Sequence, residues 1–506
     1  MANEYERLTK QLKRSPTKGL TLADAAAKTG LPLNTVKELL PQAADEFSGR
    51  LEVTESGEIL YSFPKGFVSR YHGFKPGLRR VLRTVFKALR IGGTAVFKVW
   101  IMVMLIGYFL VFMLLALASL ILPMLSRDSN GRSGGSGASL ALFNMIMRIW
   151  FYSEIFRPRY DVQYAPAPKK KGRPLHKAIF AFVFGDGDAN SSPEAAWKDR
   201  ENKVLVAYIQ NNKGIISLPE LMSLTGLQTD DAERRMSELC SAFGGSPEAT
   251  EDGVIIYRFE ELLRRADTTN RSFAVFSAPI KALQKFSLNK KGMNAAFAMI
   301  NGVNFLFGGY YLTSAISIGV VNFTEHLVRR GGEIHQVLSM SAANGSPVSW
   351  LYGMSYHLFH NMMGVDNPLP IFVIGLGLVP ISFSLLFWGI PALRALYLKK
   401  QNRQIKMENF RKIGFRKILD NPLAVRPAEI NSQIAECSPA NQKAAALQVM
   451  KDMGNYASPE ITLDENRNEI YSFSDLEREK EALERERGKV QLANYDIGER
   501  IFDTAN

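Results

Sequence analysis

Apolar residues fall along this chain in two patterns. In some stretches they recur at helical or alternating spacing among polar residues; in others they run unbroken for the thickness of a membrane. Val99–Leu125 carries no charge and holds its one proline, Pro123, near its end. A helix of that length is ~40 Å long at 1.5 Å per residue, enough to span a ~30 Å hydrocarbon core with tilt. Leu369–Leu398 is uncharged up to Arg394 and contains Pro380 and Pro391. Both prolines should kink it, since each removes a ladder donor. Met293–Val321 is longer and more polar. Its Asn294, Asn301, Gly302, Asn304, Gly308 and Gly309 predict a buried membrane helix that packs on other helices through small and amide side chains. Leu140–Phe156 is apolar and aromatic but holds Arg148 and Glu154, which are costly in mid-bilayer. It reads as a return crossing after the Gly/Ser-rich loop Ser126–Ser139, with an interfacial amphipathic helix as the alternative.

Between these blocks one polar pattern recurs. Thr21–Phe63 lies over Ser217–Phe259 without a gap, matching Thr29-Gly30-Leu31 to Thr225-Gly226-Leu227 and Gly57, Tyr61 and Phe63 to Gly253, Tyr257 and Phe259. A looser third copy ends in Pro459-Glu460-Ile461-Thr462 and Ile470-Tyr471-Ser472-Phe473. The period is too long for a solenoid, so the copies read as separate small domains. In the first, Leu22–Lys28 predicts a short helix that Gly30 ends, because glycine accepts positive φ. Asn34 is expected to cap a second helix reaching about Phe47. Leu51–Thr54 and Glu58–Phe63 flank Glu55-Ser56-Gly57, a hairpin signal. Upstream helices are expected at Tyr5–Leu12, at Pro193–Gln210 and around Phe410–Leu419. Helix, helix–turn–helix, then hairpin is the order of a winged helix. The expected fold class is an α-helical membrane protein with three small α+β winged-helix-like domains.

Charge sharpens this picture. There are 62 Lys and Arg against 49 Asp and Glu, a net +13. The excess lies beside the apolar blocks, in Arg70–Lys98 with Arg79, Arg80 and Arg83, in Lys169-Lys170-Lys171, and in Arg394–Lys417 with Lys399 and Lys400. These groups read as contacts to anionic lipid headgroups, each worth roughly 1 kcal/mol, on the cytoplasmic side. The helices that would read DNA are not basic. Lys37 faces Glu38, Asp45 and Glu46, while Arg234 and Arg235 face Asp230, Asp231, Glu233 and Glu238. A DNA reader places cations at phosphates and base edges, so protein contact is the expected use and nucleic acid is disfavoured. The cysteines, Cys240 and Cys437, fall in separate copies and exclude a cysteine-built metal site within one domain. The N-terminal residues show no apolar core of a cleavable signal peptide. Ser474–Lys489 alternates acids and bases at helical spacing and reads as a solvated helix that could contact a partner.

Few residues carry candidate chemistry. His357 and His360 would share a helix face and could ligate a metal, but no acidic partner is fixed by spacing. Asp186-Gly187-Asp188 begins like a calcium loop, yet Ser191 and Trp197 stand where such a loop needs glycine and glutamate. Turn formation and capping by Ser192-Pro193-Glu194 explain the segment better. No phosphate loop, nucleophile elbow or zincin motif is present. The chain is expected to be no enzyme and to hold no cofactor.

Phe182-Val183-Phe184-Gly185-Asp186-Gly187-Asp188, the module that follows, and Ile390-Pro391 with Asn402-Arg403 and Glu408-Asn409 resemble an uncharacterised membrane-protein family of cyanobacteria and chloroplasts. The similarity covers Arg173 to Lys412. It implies a membrane protein with cytoplasmic or stromal modules and no established activity. An iron–sulfur biosynthesis label carried by one plant relative finds no support in the cysteines here.

The expected organisation is a first module at 1–67, a basic segment and membrane hairpin at 68–160, and a linker and second module at 161–265. A second hairpin at 266–400 follows, with a polar loop at 322–368, then the third module at 401–480 and a charged helical tail at 481–506. The expected function is an integral membrane scaffold in a bacterial inner membrane. Its cytoplasmic modules would bind an unknown protein, and the assembly would homo-oligomerise. A membrane-tethered transcription regulator and a transporter or channel subunit are the alternatives.

Overall fold

The computed structural model describes residues 2–13, 19–64, 67, 96–125, 173–186, 193–266, 278–290, 292–330, 333–465 and 467–503. Leu140–Phe156, the loop Ser126–Ser139, Arg79, Arg80, Arg83, Lys169, Lys170, Lys171 and Asp188 lie outside them. The described chain is mostly helical with small antiparallel sheets.

The first repeat runs α1 (Ala2–Lys13), α2 (Leu22–Thr29), α3 (Leu33–Glu46) and the hairpin β1 (Arg50–Thr54)–β2 (Ile59–Ser62). A π-helical turn, Val103–Gly107, leads into α4 (Tyr108–Leu125), and α5 (Leu175–Phe184) follows. The second repeat is α6 (Pro193–Asn211), β3 (Ile215–Ile216), α7 (Leu218–Thr225), α8 (Thr229–Phe243), β4 (Ser246–Ala249) and β5 (Ile255–Arg258). Then come α9 (Met293–Ser317), the hairpin β6 (Val321–Arg330)–β7 (Glu333–Ala342), α10 (Trp350–His357), a π-helical Ile371–Leu378 and α11 (Val379–Asp420). The chain closes with α12 (Gln442–Gly454), β8 (Glu460–Leu463), β9 (Glu469–Ser472), α13 (Ser474–Lys489) and β10 (Arg500–Asp503).

Two compact units share this chain. One comprises Met1–Leu82, Asp188–Gln284 and Leu398–Asn506; the other comprises Arg83–Gly187 and Lys285–Tyr397.

The repeats make up the first unit. In the second repeat the sheet order is β3-β5-β4. The other two copies reduce the first strand to a single bridge, Leu20 to Tyr61 and Val425 to Tyr471. All three hairpins close the same way. The amides of Thr54, Thr250 and Asp464 donate to the carbonyls of Glu58, Val254 and Asn468, and the next bond starts at Gly57, Gly253 and Arg467. Those last three residues have φ of 80°, 75° and 60°. Glycine meets that demand without strain, whereas Arg467 does not. Apolar residues of all three copies merge into one core, with Val36, Met236 and Met450 among its buried members.

Several sequence expectations change here. Pro32, not Asn34, occupies the N-cap position of α3. The third copy replaces its first helix after the bridge with two 3-10 turns, Pro427–Glu429 and Ala435–Cys437. Its upstream helix is the end of α11, which runs past the expected boundary at 401. The helix Ser474–Lys489 is not solvated all round. Leu476, Glu479, Ala482 and Leu483 are buried, the last two packing on Ile215, Val254 and Ile256. Beyond Lys489 the α-helix gives way to a 3-10 turn, Leu492–Tyr495, and to β10, which pairs with β1.

Among the described residues of the second unit, two helices are long and apolar enough to cross a membrane, Val96–Ile121 and Ile371–Asp420, the latter contributing residues up to Tyr397 here. Helix α9 is as long as a span but carries the amides noted above. It ends at Ser317, and the expected polar loop 322–368 instead forms the β6–β7 hairpin and α10. Pro380 stands two residues past the π-helical Ile371–Leu378. Wider i→i+5 bonding relieves the clash and the missing donor that proline brings to a helix interior. Two apolar cores fill this unit, one of stacked rings around Phe112, Tyr311 and Phe372, the other around Leu105, Phe182 and Phe387.

Candidate functional site: the docking acids of the repeats

Four residues after the strand or bridge that opens each repeat stands an acid: Asp24, Glu220 or Glu429. In the first two copies this acid closes a capping box, with Thr21 and Ser217 at the N-cap. A carboxylate there satisfies orphan amides and faces the positive helix end. Each has a second task. Asp24, 2% exposed, accepts from the Ala266 amide at 2.9 Å and pairs with Arg265 at 3.4 Å, both beyond the second hairpin. Glu220 accepts from Arg487 of α13 at 2.7 and 2.9 Å and from the Tyr208 hydroxyl at 2.8 Å. In both copies the capping acid therefore anchors the segment that follows a later hairpin. Glu429 breaks the series: its half-exposed carboxylate pairs with its neighbour Arg426 at 3.5 Å, while its carbonyl accepts from Lys417 at 2.6 Å.

A third buried acid joins the second and third copies. Asp452, 1% exposed, accepts from Arg411 at 2.6 Å, Gln448 at 2.8 Å and Gln228 at 3.0 Å. Helix α11 also holds an extended strand of chain. Asn402 exchanges two bonds with the Gln284 backbone, at 2.8 and 2.9 Å, and Asn409 two with Lys281, at 3.0 and 2.9 Å. Lys412 donates to the Pro279 carbonyl at 2.7 Å, and burial lowers its amine to about 8. Asparagine suits this task because its amide imitates a peptide group, donor and acceptor together.

Beside Glu220 lies a cavity of about 290 Å³, lined in part by Tyr208, Ser217, Arg416, Glu479 and Arg487. Burial pushes the Glu479 carboxyl up to about 7, against the pull of the Tyr456 and Ser217 hydroxyls. Tyr456 donates to it at 3.0 Å. Burial alone would lower the Arg487 guanidinium, but Glu220 and Tyr208 raise it.

Residues singled out by sequence separate into used and unused. Asp186 pairs with Arg173 and accepts from the Leu288 amide at 2.5 Å, so it ties the end of α5 to the segment that leads into α9. Gly185, φ 89°, gives room to the Arg394 guanidinium, which donates to the carbonyls of Phe182 at 2.8 Å and Ala181 at 3.3 Å. Sequence reasoning missed Arg394, although a cation at a helix C-terminus is a recognisable device. The Phe-Val-Phe-Gly-Asp stretch is thus a structural junction. His360 Nδ1 lies 2.9 Å from the Val365 carbonyl, and the His357 ring meets Phe323 edge-on at 5.1 Å. Among the described residues, no group of three or more His, Cys, Asp or Glu could hold a metal ion.

Asn301 and Asn304 are fully buried and donate to the carbonyls of Ser384 at 3.1 Å and Leu105 at 2.7 Å. Asn294 donates to Ser287 at 2.9 Å and accepts from Asn289 at 2.8 Å, both in the segment that leads into α9 and not on another helix. A side chain at Gly308 would press on Ile381, 3.1 Å away, and Pro380, 3.2 Å away. One at Gly302 would make only ordinary contact with Trp388 at 3.6 Å, and one at Gly309 would meet nothing within 4 Å. Close packing therefore requires Gly308 and neither of the other two. Lys399 and Lys400 are exposed.

These features define a mostly helical protein with small antiparallel sheets and, among the described residues, two helices of membrane-crossing length. The chain is similar to an uncharacterized chloroplastic protein of Arabidopsis thaliana, 24% identical over 431 residues that cover 80% of this chain and 70% of the relative. No protein-family model matches it, and no solved structure matches it.

Proposed function

We propose that this chain is an integral membrane scaffold whose three winged-helix-like modules form a single protein-contact platform. The observation that carries this reading is the shared core, in which Leu40, Leu239 and Val449 of the three copies are buried together. Modules fused in this way present composite surfaces rather than three independent readers. The sheet order β3-β5-β4 and the three equivalent hairpins support the winged-helix reading. Of the two arginines on α8, Arg235 is spent internally, bonding Asn202 and pairing with Glu201 at 3.5 Å and Glu238 at 3.2 Å, and the exposed Arg234 pairs with Asp231 at 3.2 Å. The two long apolar helices support membrane insertion, and the exposed Lys399 and Lys400 suit anionic headgroups on the cytoplasmic side. Asn301 and Asn304 bond to neighbouring backbone, which favours helix packing over a transport path. Homo-oligomerisation belongs to the same proposal.

The test is purification of the full chain in mild detergent after nuclease treatment, with identification of co-purifying proteins and measurement of complex mass. A reproducible stoichiometric partner supports the scaffold. Recovery of a bare monomer that binds duplex DNA, with affinity falling steeply as salt rises, would favour the transcription regulator instead.

A further inference from the structure

The three hairpins are equivalent, but their outer edges are not treated alike. An open strand edge exposes unpaired amides and carbonyls and recruits other strands unless it is covered, shortened or carries proline or charge. In the first copy the edge of β1 is covered: Glu52 and Val53 pair with Asp503 and Phe502 of β10, and Arg500 joins Glu52 at 2.9 Å. In the second copy the edge strand β4 contains Pro247, which has no amide to offer, and Glu248 on it pairs with Arg258 at 2.8 Å. In the third copy β8 is Glu-Ile-Thr-Leu, with no proline, and among the described residues it pairs with β9 alone.

Turn geometry fixes which backbone groups face outward. Because the Asp464 amide bonds the Asn468 carbonyl, alternation turns the peptide groups of Thr462 toward β9 and those of Ile461 and Leu463 away. Counting back from the equivalent turns, Leu463 stands where Val53 stands in the first copy, and Ile461 where Leu51 and Pro247 stand. Ile461 is 57% exposed and Leu463 65% exposed. The hairpin carries Glu460, Asp464, Glu465 and Glu469 against Arg467, and Arg426 beside it pairs with Asp464 at 3.9 Å and with Glu429 at 3.5 Å.

We propose that β8 is a strand-addition site for an extended segment of a partner protein, with alternating apolar side chains and a basic residue at its flank. The first copy shows the mode of binding inside this chain: β10, Arg-Ile-Phe-Asp, lies antiparallel on the equivalent edge. That strand is held on β1 within its own chain, so a second copy does not supply it to β8. Main-chain bonds provide the grip and the acidic hairpin selects for positive charge. The proposal rests on the reading of this unit as a protein-contact platform.

The test uses the full chain in detergent and, as probe, the fluorescent peptide Lys-Ile-Thr-Val-Thr-Ile-Arg, which carries the alternating apolar side chains and basic flanks of the proposed segment. Two variants accompany the wild type. Ile461→Pro installs what the second copy already tolerates at Pro247, and Leu463→Lys places a charge on the edge. Fluorescence anisotropy should report saturable binding that weakens about tenfold or more in both variants, with unchanged circular dichroism. No binding to the wild type, or equal binding to the Ile461→Pro protein, would overturn the site. So would a wild-type dimer, seen by light scattering, that Ile461→Pro converts to monomer, since a second copy would then be the occupant. A natural partner that stays bound to the Ile461→Pro protein would also sink the strand site, while leaving the platform reading intact.

Discussion

Val53 and Phe502 face each other across antiparallel strands, joining the first hairpin of the chain to its last strand. The bond from the Glu55 amide to the Glu499 carbonyl, 2.9 Å, extends the contact past a bulge. The N-terminal copy and the C-terminal tail are therefore one sheet.

Removal of residues 497–506 should uncover β1. Hydrogen exchange at the Val53 and Glu55 amides is expected to speed up by at least about tenfold, as each loses a bond worth roughly 1 kcal/mol. Exchange at Leu221 and Met222, buried in the second copy, should not change. Unaltered protection at Val53 would mean that the tail does not occupy this edge in solution.

Arg487 and Glu220 are 18% and 13% exposed at their side chains. Arg487→Ala leaves a buried carboxylate beside Tyr208 without its cation, a change that costs about 3 kcal/mol or more. Limited proteolysis should then cut α13 first. A melting temperature within error of wild type would show that this pair does not hold the helix.

The Glu479 carboxyl, raised to about 7 by burial, makes stability depend on pH. Between its unfolded value near 4.5 and about 7 the folded protein holds a proton that the unfolded chain has lost. Stability should therefore fall as pH climbs through that window, by on the order of 3 kcal/mol, and level off above it. Glu479→Gln should flatten the profile of denaturation midpoint against pH. Lys412, lowered to about 8, contributes in the opposite sense, with stability rising from pH 8 toward 10.5.

Helix α9 offers a paired test. Gly308→Ala should destabilise the second unit, since the new methyl meets Ile381 and Pro380 at 3.1 and 3.2 Å. Gly309→Ala meets nothing and should be neutral or stabilising by up to about 1 kcal/mol from helix propensity. Asn304→Leu should cost about 0.5–2 kcal/mol by removing its bond to the Leu105 carbonyl. Reversible unfolding in mixed micelles would rank the three; equal losses at Gly308 and Gly309 would contradict the packing described here.

Local signals in the sequence were enough for the turns and the apolar blocks. Gly30 and Gly226 end their helices at φ 71° and 73°, as glycine followed by an apolar residue implies. Gly57 and Gly253 mark two hairpins, and the uncharged runs mark the two long helices. Such features depend on neighbours in the chain, so composition and spacing suffice to place them.

The tertiary structure alone decided which acids dock, which edge stays open and which glycine is crowded. Asp24 and Glu220 carry the same local signature, yet their partners, Arg265 and Arg487, lie far along the chain and share no spacing with them. The strand Arg500–Asp503 is four residues long, and its partner edge lies near the other terminus, so no local pattern announces it. Gly308 and Gly309 are indistinguishable in sequence; only the face of α9 that meets Pro380 separates them. Long-range pairing places groups by the packing of whole elements, and a one-dimensional pattern holds no record of which faces will meet.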